Sequence, residues 1–394
     1  MNDFDLYLPT KVYFGRQKIK ELSQVIASFG NRVLLVYGGA SIQKNGILTQ
    51  VIEQLNGNEI FELSGIQPNP RIEKVREGQQ ICKLEKIEVV LAVGGGSVMD
   101  SAKAIAASAF YEGDPWDFTH GMEQVTRALP LVVVPTLSAT GSEGNGTGVL
   151  SDWENHRKQG FRSDLVRPYA AILDPGYTFS VPPFQTAAGS ADILSHLLEN
   201  YFDQTPGTAF QDHLAEGMMQ TVLENTPRAL QEPADYDARA NLMWSAFWAL
   251  NGLTGAGRGV AWSAHAIEHE LSAYYDVTHG AGLAILTPRW MMHVLNDETK
   301  HDFARFAKEV WKLSGSDELL LAKQGIQALY QVFEAWGLPL TLPEIGIDAE
   351  NLEKMAQAAY EHKLKNAATY QPLSAKDIFT ILEQCMQPME FSFE

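Results

Sequence analysis

The sequence predicts an α/β nucleotide-binding domain over residues 1–180 followed by an all-α domain over 181–394. Three observations predict it. In the first half, short β-branched runs alternate with amphipathic helical patterns, as in a largely parallel sheet covered by helices. One of those runs enters Gly94-Gly95-Gly96 and leaves as a helix, an arrangement suited to binding a phosphate. Beyond two proline clusters, Asp174-Pro175-Gly176-Tyr177 and Val181-Pro182-Pro183, strand signals almost vanish and long helical patterns take over.

The elements follow in order. Leu8 to Gly15 reads as an extra N-terminal strand with a turn after it. Strands are predicted at 33–37, 60–63, 89–93, 131–134 and 171–173, with helical stretches at 47–55, 72–84 and 98–109. In the second half, helices are predicted at 185–202, 209–230, 238–250 and 260–273, with several more before Cys385. The chain shows no internal repeat and no low-complexity segment.

Bulk properties narrow the function. A chain of 394 residues that is 45% hydrophobic and 20% charged can bury a sizeable core. A formal net charge of -18, spread along the chain, disfavours nucleic acid and anionic membranes, which reward basic patches. Two cysteines, Cys82 and Cys385, form no disulfide framework and fit a reducing cytoplasm. No signal peptide is expected from Met1-Asn2-Asp3-Phe4-Asp5, and no apolar run suits a bilayer.

Three segments have the chemistry of a dinucleotide site. In Gly94-Gly95-Gly96-Ser97-Val98-Met99-Asp100, glycines admit an anion to backbone amides and the helix N-terminus adds partial positive charge. Met99 breaks the Gly-x-Gly-x-x-Gly fingerprint, and no Gly-Lys-Ser/Thr follows. Gly38-Gly39-Ala40-Ser41 also follows a strand. An acid at that point would grip ribose hydroxyls and repel a 2′-phosphate, whereas glycines admit the phosphate and Ser41 can donate to it. Thr136-Leu137-Ser138-Ala139-Thr140-Gly141 offers hydroxyls and amides for phosphate or ribose. For each segment alone, a plain tight turn explains the same residues.

Asp192 and His196 stand four apart, as do His265 and His269, and His279 precedes Gly280. One carboxylate and three imidazoles suffice for a divalent metal that keeps a position open for substrate. An Asp–His pair on a helix often does no more than hydrogen-bond itself, but two such pairs and a glycine-flanked histidine make a metal site the better reading. Glu268 does not directly follow the first histidine, which argues against a zincin peptidase. His120, His156, His213, His293, His301 and His362 lack partner spacing and read as surface or packing residues.

The glycine loop, the Asp192/His196 pair with Glu199, His265-Ala266-Ile267-Glu268-His269-Glu270-Leu271 and Thr278-His279-Gly280 resemble the iron-containing alcohol dehydrogenases, on their NADPH-dependent butanol dehydrogenase and aldehyde reductase branch. The resemblance starts at Pro9 and runs past residue 350. It implies a dehydroquinate-synthase-like fold with the active site in a cleft between the two domains. It implies Asp192, His196, His265 and His279 as ligands of Fe²⁺ or Zn²⁺, with His269 near the nicotinamide and substrate. It implies cofactor contacts at Gly38, Gly39, Ser41, Gly95, Gly96, Ser97, Asp100, Thr136, Leu137 and Thr140, and at Asn145, Lys158 and Tyr177 nearer the ribose and nicotinamide. Gly38 stands where NAD-preferring relatives carry aspartate, which points to NADP(H). No arginine accompanies Ser41, so partial use of NADH is expected. A homodimer is also implied.

The expected reaction is hydride transfer between a butanol-like primary alcohol and its aldehyde, with His269 as a proton relay. Phe161, Trp153 and Trp262 can line an apolar substrate wall, although ordinary packing explains each. Two rivals share the fold. A dehydroquinate-synthase-type lyase needs more Lys and Arg near its ligands than this chain has there. A glycerol-dehydrogenase-like polyol enzyme using NAD is disfavoured by Gly38 and Gly39.

Overall fold

The computed structural model describes residues 1–259 and 262–392. The strands are β1 (Lys11–Phe14), β2 (Arg32–Tyr37), β3 (Glu59–Leu63), β4 (Val89–Gly94), β5 (Leu131–Pro135), β6 (Thr147–Asp152), β7 (Arg157–Arg162) and β8 (Ala170–Leu173). The first helices are α1 (Leu22–Ala27), α2 (Ser41–Lys44), α3 (Ile47–Gln54), α4 (Ile72–Leu84) and α5 (Gly96–Ser108). Then come α6 (Pro183–Tyr201), α7 (Ala209–Gln231), α8 (Tyr236–Ala249), α9 (Ser263–Tyr275) and α10 (His279–Val294). The last four are α11 (Lys300–Glu309), α12 (Glu318–Ala335), α13 (Leu352–Ala359) and α14 (Ala375–Gln384). Of the helix expected over 260–273, Val260 and Ala261 lie outside the described residues.

Six strands form one all-parallel sheet in the order β1-β8-β5-β4-β2-β3. The apolar runs of β2 and β4 are buried almost throughout, because helices cover both faces. Leu34, Val36, Val90, Ala92 and Val133 pack with Val75 of α4 and Ile105 of α5. Val33, Leu35, Val89, Leu91 and Val132 face Leu22 and Ile26 of α1 and Leu48 and Val51 of α3. Each fully buried aliphatic side chain contributes roughly 1.5–3 kcal/mol.

The strand order sets the position of the glycine turns. From β2 the chain goes to β3 on one side, then crosses to β4 on the other. Tyr37 pairs with Val93, and Gly94 pairs with Pro135. Gly38, Gly95 and Thr136 therefore follow adjacent strand ends at the point where strand order reverses, where open α/β sheets bind ligands.

The chain forms two compact units. One comprises Tyr7–Pro182 and Gln231–Asn251; the other comprises Met1–Leu6, Pro183–Leu230 and Gly252–Glu394. The sequence places one boundary near residue 180, but the structure also returns α8 to the α/β unit. The cause is aromatic packing: Trp244 meets Phe14 edge-on at 5.5 Å, and the Phe247 ring fills the space that a side chain on Gly144 would occupy.

The antiparallel hairpin of β6 and β7, paired from Thr147↔Arg162 to Asp152↔Arg157, has no counterpart in the sequence expectation. Gly148, Gly160 and the charges of 157–162 obscure its alternation. Asp100 on α5 anchors it by accepting the Val149 amide at 3.0 Å. Among the described residues, no helix is long and apolar enough to cross a membrane.

Candidate functional site

Helix α6 is buried from Thr186 to Tyr201, so its polar side chains need partners inside the protein. Asp192, His196 and Glu199 occupy i, i+4 and i+7 and share one face. Helix α9 contributes His265, Glu268 and His269, and α10 opens with His279. Two glycines permit the convergence. A Cβ on Gly280 would overlap the Ala188 carbonyl of α6, and one on Gly282 would lie 2.9 Å from Glu268 Cγ.

The four expected ligands come together. Nε2 of His196, His265 and His279 lies 3.5, 3.7 and 3.7 Å, respectively, from Asp192 Oδ1. The His196 and His265 rings stack with centroids 4.7 Å apart. Asp192, His196 and His265 are buried and His279 is partly so.

Asp192 Oδ1 and His265 Nε2 have no hydrogen-bond partner among the described residues. Leaving such atoms unsatisfied costs roughly 1–3 kcal/mol each. A divalent ion fits this cluster, because it would ligate both atoms and the donor set is the nitrogen–oxygen set such ions take.

Two carboxylates orient the imidazoles. Glu199 accepts the Ala264 amide at 2.6 Å and the His265 amide at 3.2 Å, and its Oε2 meets His265 Nδ1. Glu268 meets His279 Nδ1 and takes the Ser272 hydroxyl. A carboxylate on Nδ1 holds the hydrogen there and leaves the Nε2 lone pair for a metal. The orienting role of Glu268 was not legible in the sequence, since it depends on the approach of α10 to α9.

The electrostatics agree with ligation. Burial alone would push the Asp192 carboxyl up, but His196, His279 and His265 outweigh it and hold the group well below the usual carboxylate range. Burial pushes His196 down to about 3, so it is neutral and ligand-ready. Burial also opposes charge on His265, yet Glu199 and Asp192 raise it to about 9; a metal would take the place of that proton.

His269 is partly buried, with its ring centroid 5.6 Å from that of His279. Of the three expected aromatics, Trp262 stands at the cluster, edge-on to His265 at 5.2 Å and to His196 at 5.8 Å. Phe161 is buried in the core of the α/β unit, and Trp153 is exposed beneath the Arg71 guanidinium.

At the glycine turns, a Cβ on Gly96 would lie 2.5 Å from Thr140 Cγ2, and the Thr136 amide donates to Gly94 O at 3.0 Å. The loop after β5 thus packs against the start of α5. Gly95 caps α5 without a side-chain hydrogen bond, leaving first-turn amides of the kind that receive phosphate. Gly39 and Ser41 are exposed, and Gly38 is partly so.

Four other expected cofactor residues have partners of their own. Asp100 accepts the Ser142 hydroxyl at 2.6 Å as well as the Val149 amide. Asn145 accepts Lys103 Nζ and the Thr147 amide, each at 2.9 Å, and donates to Gly141 O. Tyr177 donates to Gln50 at 3.0 Å, and burial holds its phenol above the usual range. Lys158 is buried on β7 close enough to act on Asp100 electrostatically.

A parallel sheet with glycine turns at its switch point, together with a buried Asp/His₃ cluster on helices, defines a metal-dependent dehydrogenase. Comparison with known proteins agrees. Residues 9–175 match the family described as iron-containing alcohol dehydrogenase, and residues 186–386 match the C-terminal part of the Fe-containing alcohol dehydrogenase family. The chain belongs to the iron-containing alcohol dehydrogenase family and has its dehydroquinate-synthase-like fold. It is 44% identical over 387 residues to NADH-dependent butanol dehydrogenase A of Clostridium acetobutylicum, covering 98% of this chain and 100% of that one. It is 39% identical to the NADPH-dependent aldehyde reductase YqhD of Escherichia coli, covering 92% and 94%. The crystal structure of NADH-dependent butanol dehydrogenase A from Thermotoga maritima superposes with a TM-score of 0.94 at 42% identity, covering 98% and 99%.

Proposed function

We propose that this protein interconverts butanol-like primary alcohols and their aldehydes by hydride transfer with NADP(H), and that it also uses NADH. The observation that carries this reading is the approach of three Nε2 atoms to Asp192 Oδ1, with Nδ1 of His265 and His279 held by Glu199 and Glu268. Asp192, His196, His265 and His279 would hold Fe²⁺ or Zn²⁺. When bound, the metal supplies Lewis acidity and the nicotinamide supplies or receives the hydride.

The chain's own residues do the rest. Gly95, Gly96 and Ser97 offer the amides of the α5 N-terminus to the pyrophosphate. Thr136, Leu137 and Thr140 wall that turn, while Asp100, Asn145, Lys158 and Tyr177 keep its supports rigid and near the ribose and nicotinamide. Gly38, Gly39 and Ser41 carry no carboxylate, so the 2′-phosphate is admitted. The absence of an arginine in the same run supports the use of NADH as well. Trp262 shields the cluster from water, and His269 holds the proton exchanged with the reacting oxygen. Pairing through the N-terminal edge strand into a homodimer is part of this reading, supported by the exposed Phe4, Tyr7 and Leu8. Two buried thiols suit a cytoplasmic setting.

The test is an anaerobic assay of NADPH and NADH oxidation over an aldehyde series, with Fe²⁺ or Zn²⁺ added back to metal-stripped protein. Metal-dependent reduction of butanal, faster with NADPH, is expected. No turnover with either cofactor in the metal-replete protein would sink the proposal. His265→Ala should lose most of its metal; full retention would refute the ligand set.

A further inference from the structure

Lys363 belongs to no motif and to none of the roles above. After α13 the chain makes one more turn, over Tyr360–Leu364, as a π-helix, with the Lys365 amide donating to Tyr360 O at 2.8 Å. The extra residue of a π-turn rotates the following side chains by about 100° relative to an α-helical path. This turn and α13 before it pack against α9. Asn351 donates to the Tyr275 hydroxyl at 3.0 Å, and His362 Nδ1 lies 3.7 Å from Glu270 Oε1. Between these contacts, Lys363 Nζ meets His269 Nδ1, with both side chains partly buried.

The chemical character of each histidine's partner separates their roles. His265 and His279 have carboxylates on Nδ1, so Nδ1 carries the hydrogen and Nε2 the lone pair. His269 has an ammonium on Nδ1. An ammonium has three donors and no acceptor, so Nδ1 must accept, and the neutral ring carries its hydrogen on Nε2. Ligand atoms of Glu268, His269 and His279 lie within 4.8 Å of one another, so proximity alone would make His269 another ligand. Its tautomer gives it a different task.

We propose that Lys363 is a positioning residue that fixes His269 as the Nε2–H tautomer, making it a hydrogen-bond donor rather than a metal ligand. The identity of the accepting oxygen, on an aldehyde or alkoxide, rests on the function proposed above; the tautomer does not.

The experiment uses the zinc-loaded protein with ¹⁵N-labelled histidine. Its long-range proton–nitrogen spectrum reports which nitrogen of each ring carries hydrogen, and loss of one signal set in His269→Gln assigns it. The parent should show Nε2–H at His269 and Nδ1–H at His265 and His279. Lys363→Met should give a mixture of tautomers at His269, and Lys363→Arg should restore Nε2–H. In the same variants, kcat for aldehyde reduction should fall about ten-fold in Met and recover in Arg, as one hydrogen bond implies, with metal content and KM within about two-fold of the parent. A parent spectrum with Nδ1–H at His269 overturns the proposal without any variant, as does an unchanged tautomer in Lys363→Met. Should the tautomers behave as stated while the parent reduces no aldehyde, the function proposed above is refuted and the role of Lys363 stands.

Discussion

The metal cluster and the glycine turn solve opposite problems. At the cluster, side chains would do the binding: Asp192, His196, His265 and His279 project from buried helices, and two carboxylates fix the directions of His265 and His279. At the turn, missing side chains would do it: Gly95 and Gly96 leave backbone amides open at the start of α5. A cluster of that kind tolerates no shift of its helices, because its donors are aimed at a point. A turn of that kind tolerates no added atom, because its function is space. The first should therefore fail through lost geometry and the second through altered fit.

Gly280→Ala breaks the comparison hardest, since it places the requirement of the turn inside the cluster. The added Cβ overlaps the Ala188 carbonyl, a backbone atom that cannot rotate away. Overpacking of this kind costs roughly 1–3 kcal/mol or more, and relief requires α10 to move off α6, carrying His279 from Asp192. Gly39→Ala is the control, because a Cβ there has nothing within 4 Å. Metal content and thermal melting should show Gly280→Ala depleted of metal and less stable, and Gly39→Ala unchanged in both. Full metal occupancy in Gly280→Ala would show that the helices can slide without cost to the site.

The same contrast explains what the sequence made legible. The convergence of the cluster was visible because Asp192/His196 and His265/His269 repeat at helical spacing, and because glycine beside His279 marks close helix contact. The buried strands were visible as unbroken β-branched runs. The β6–β7 hairpin was hidden because glycines and charges interrupt its alternation, and its anchor, Asp100, lies on another element. The place of α8 in the α/β unit was hidden because it depends on aromatic contacts with Phe14 and Gly144. Glu268 and Lys363 act on histidines 11 and 94 positions away. No local periodicity records partners at that distance.

The turn is tested by adding charge where only space stands. In Gly38→Asp the Cβ would lie 3.3 Å from Ile66 O and 3.7 Å from Val98 Cγ2, so the neighbours must give by a few tenths of an ångström, and the carboxylate would face the ribose end. It should repel a 2′-phosphate and accept from ribose hydroxyls. The ratio of kcat/KM with NADPH to that with NADH should fall at least about ten-fold, or roughly 1.4 kcal/mol, with metal content unchanged. An unaltered ratio would place the 2′-phosphate elsewhere.

The smallest effect compares the buried acids of the two units. Asp192 is held in its charged form by the histidine cluster around it, with His265 protonated beside it. Glu143, beside the turn, has less support: burial raises its carboxyl from 4.5 to about 7, and its own backbone amide and Lys103 pull it back only in part. A folded-state pKa above the unfolded value means that the folded chain holds the proton more tightly. Glu143 therefore contributes stability fully below about pH 4.5, and that contribution is lost as pH rises through about 7. Glu143→Gln keeps the shape and removes the ionisation. It should flatten this part of the stability–pH curve and stabilise the protein at pH 8. Urea unfolding of both proteins from pH 4 to pH 8 measures it. Curves that stay parallel across that range would mean that Lys103 neutralises Glu143 as fully as the histidines neutralise Asp192, and the two buried acids would then be alike.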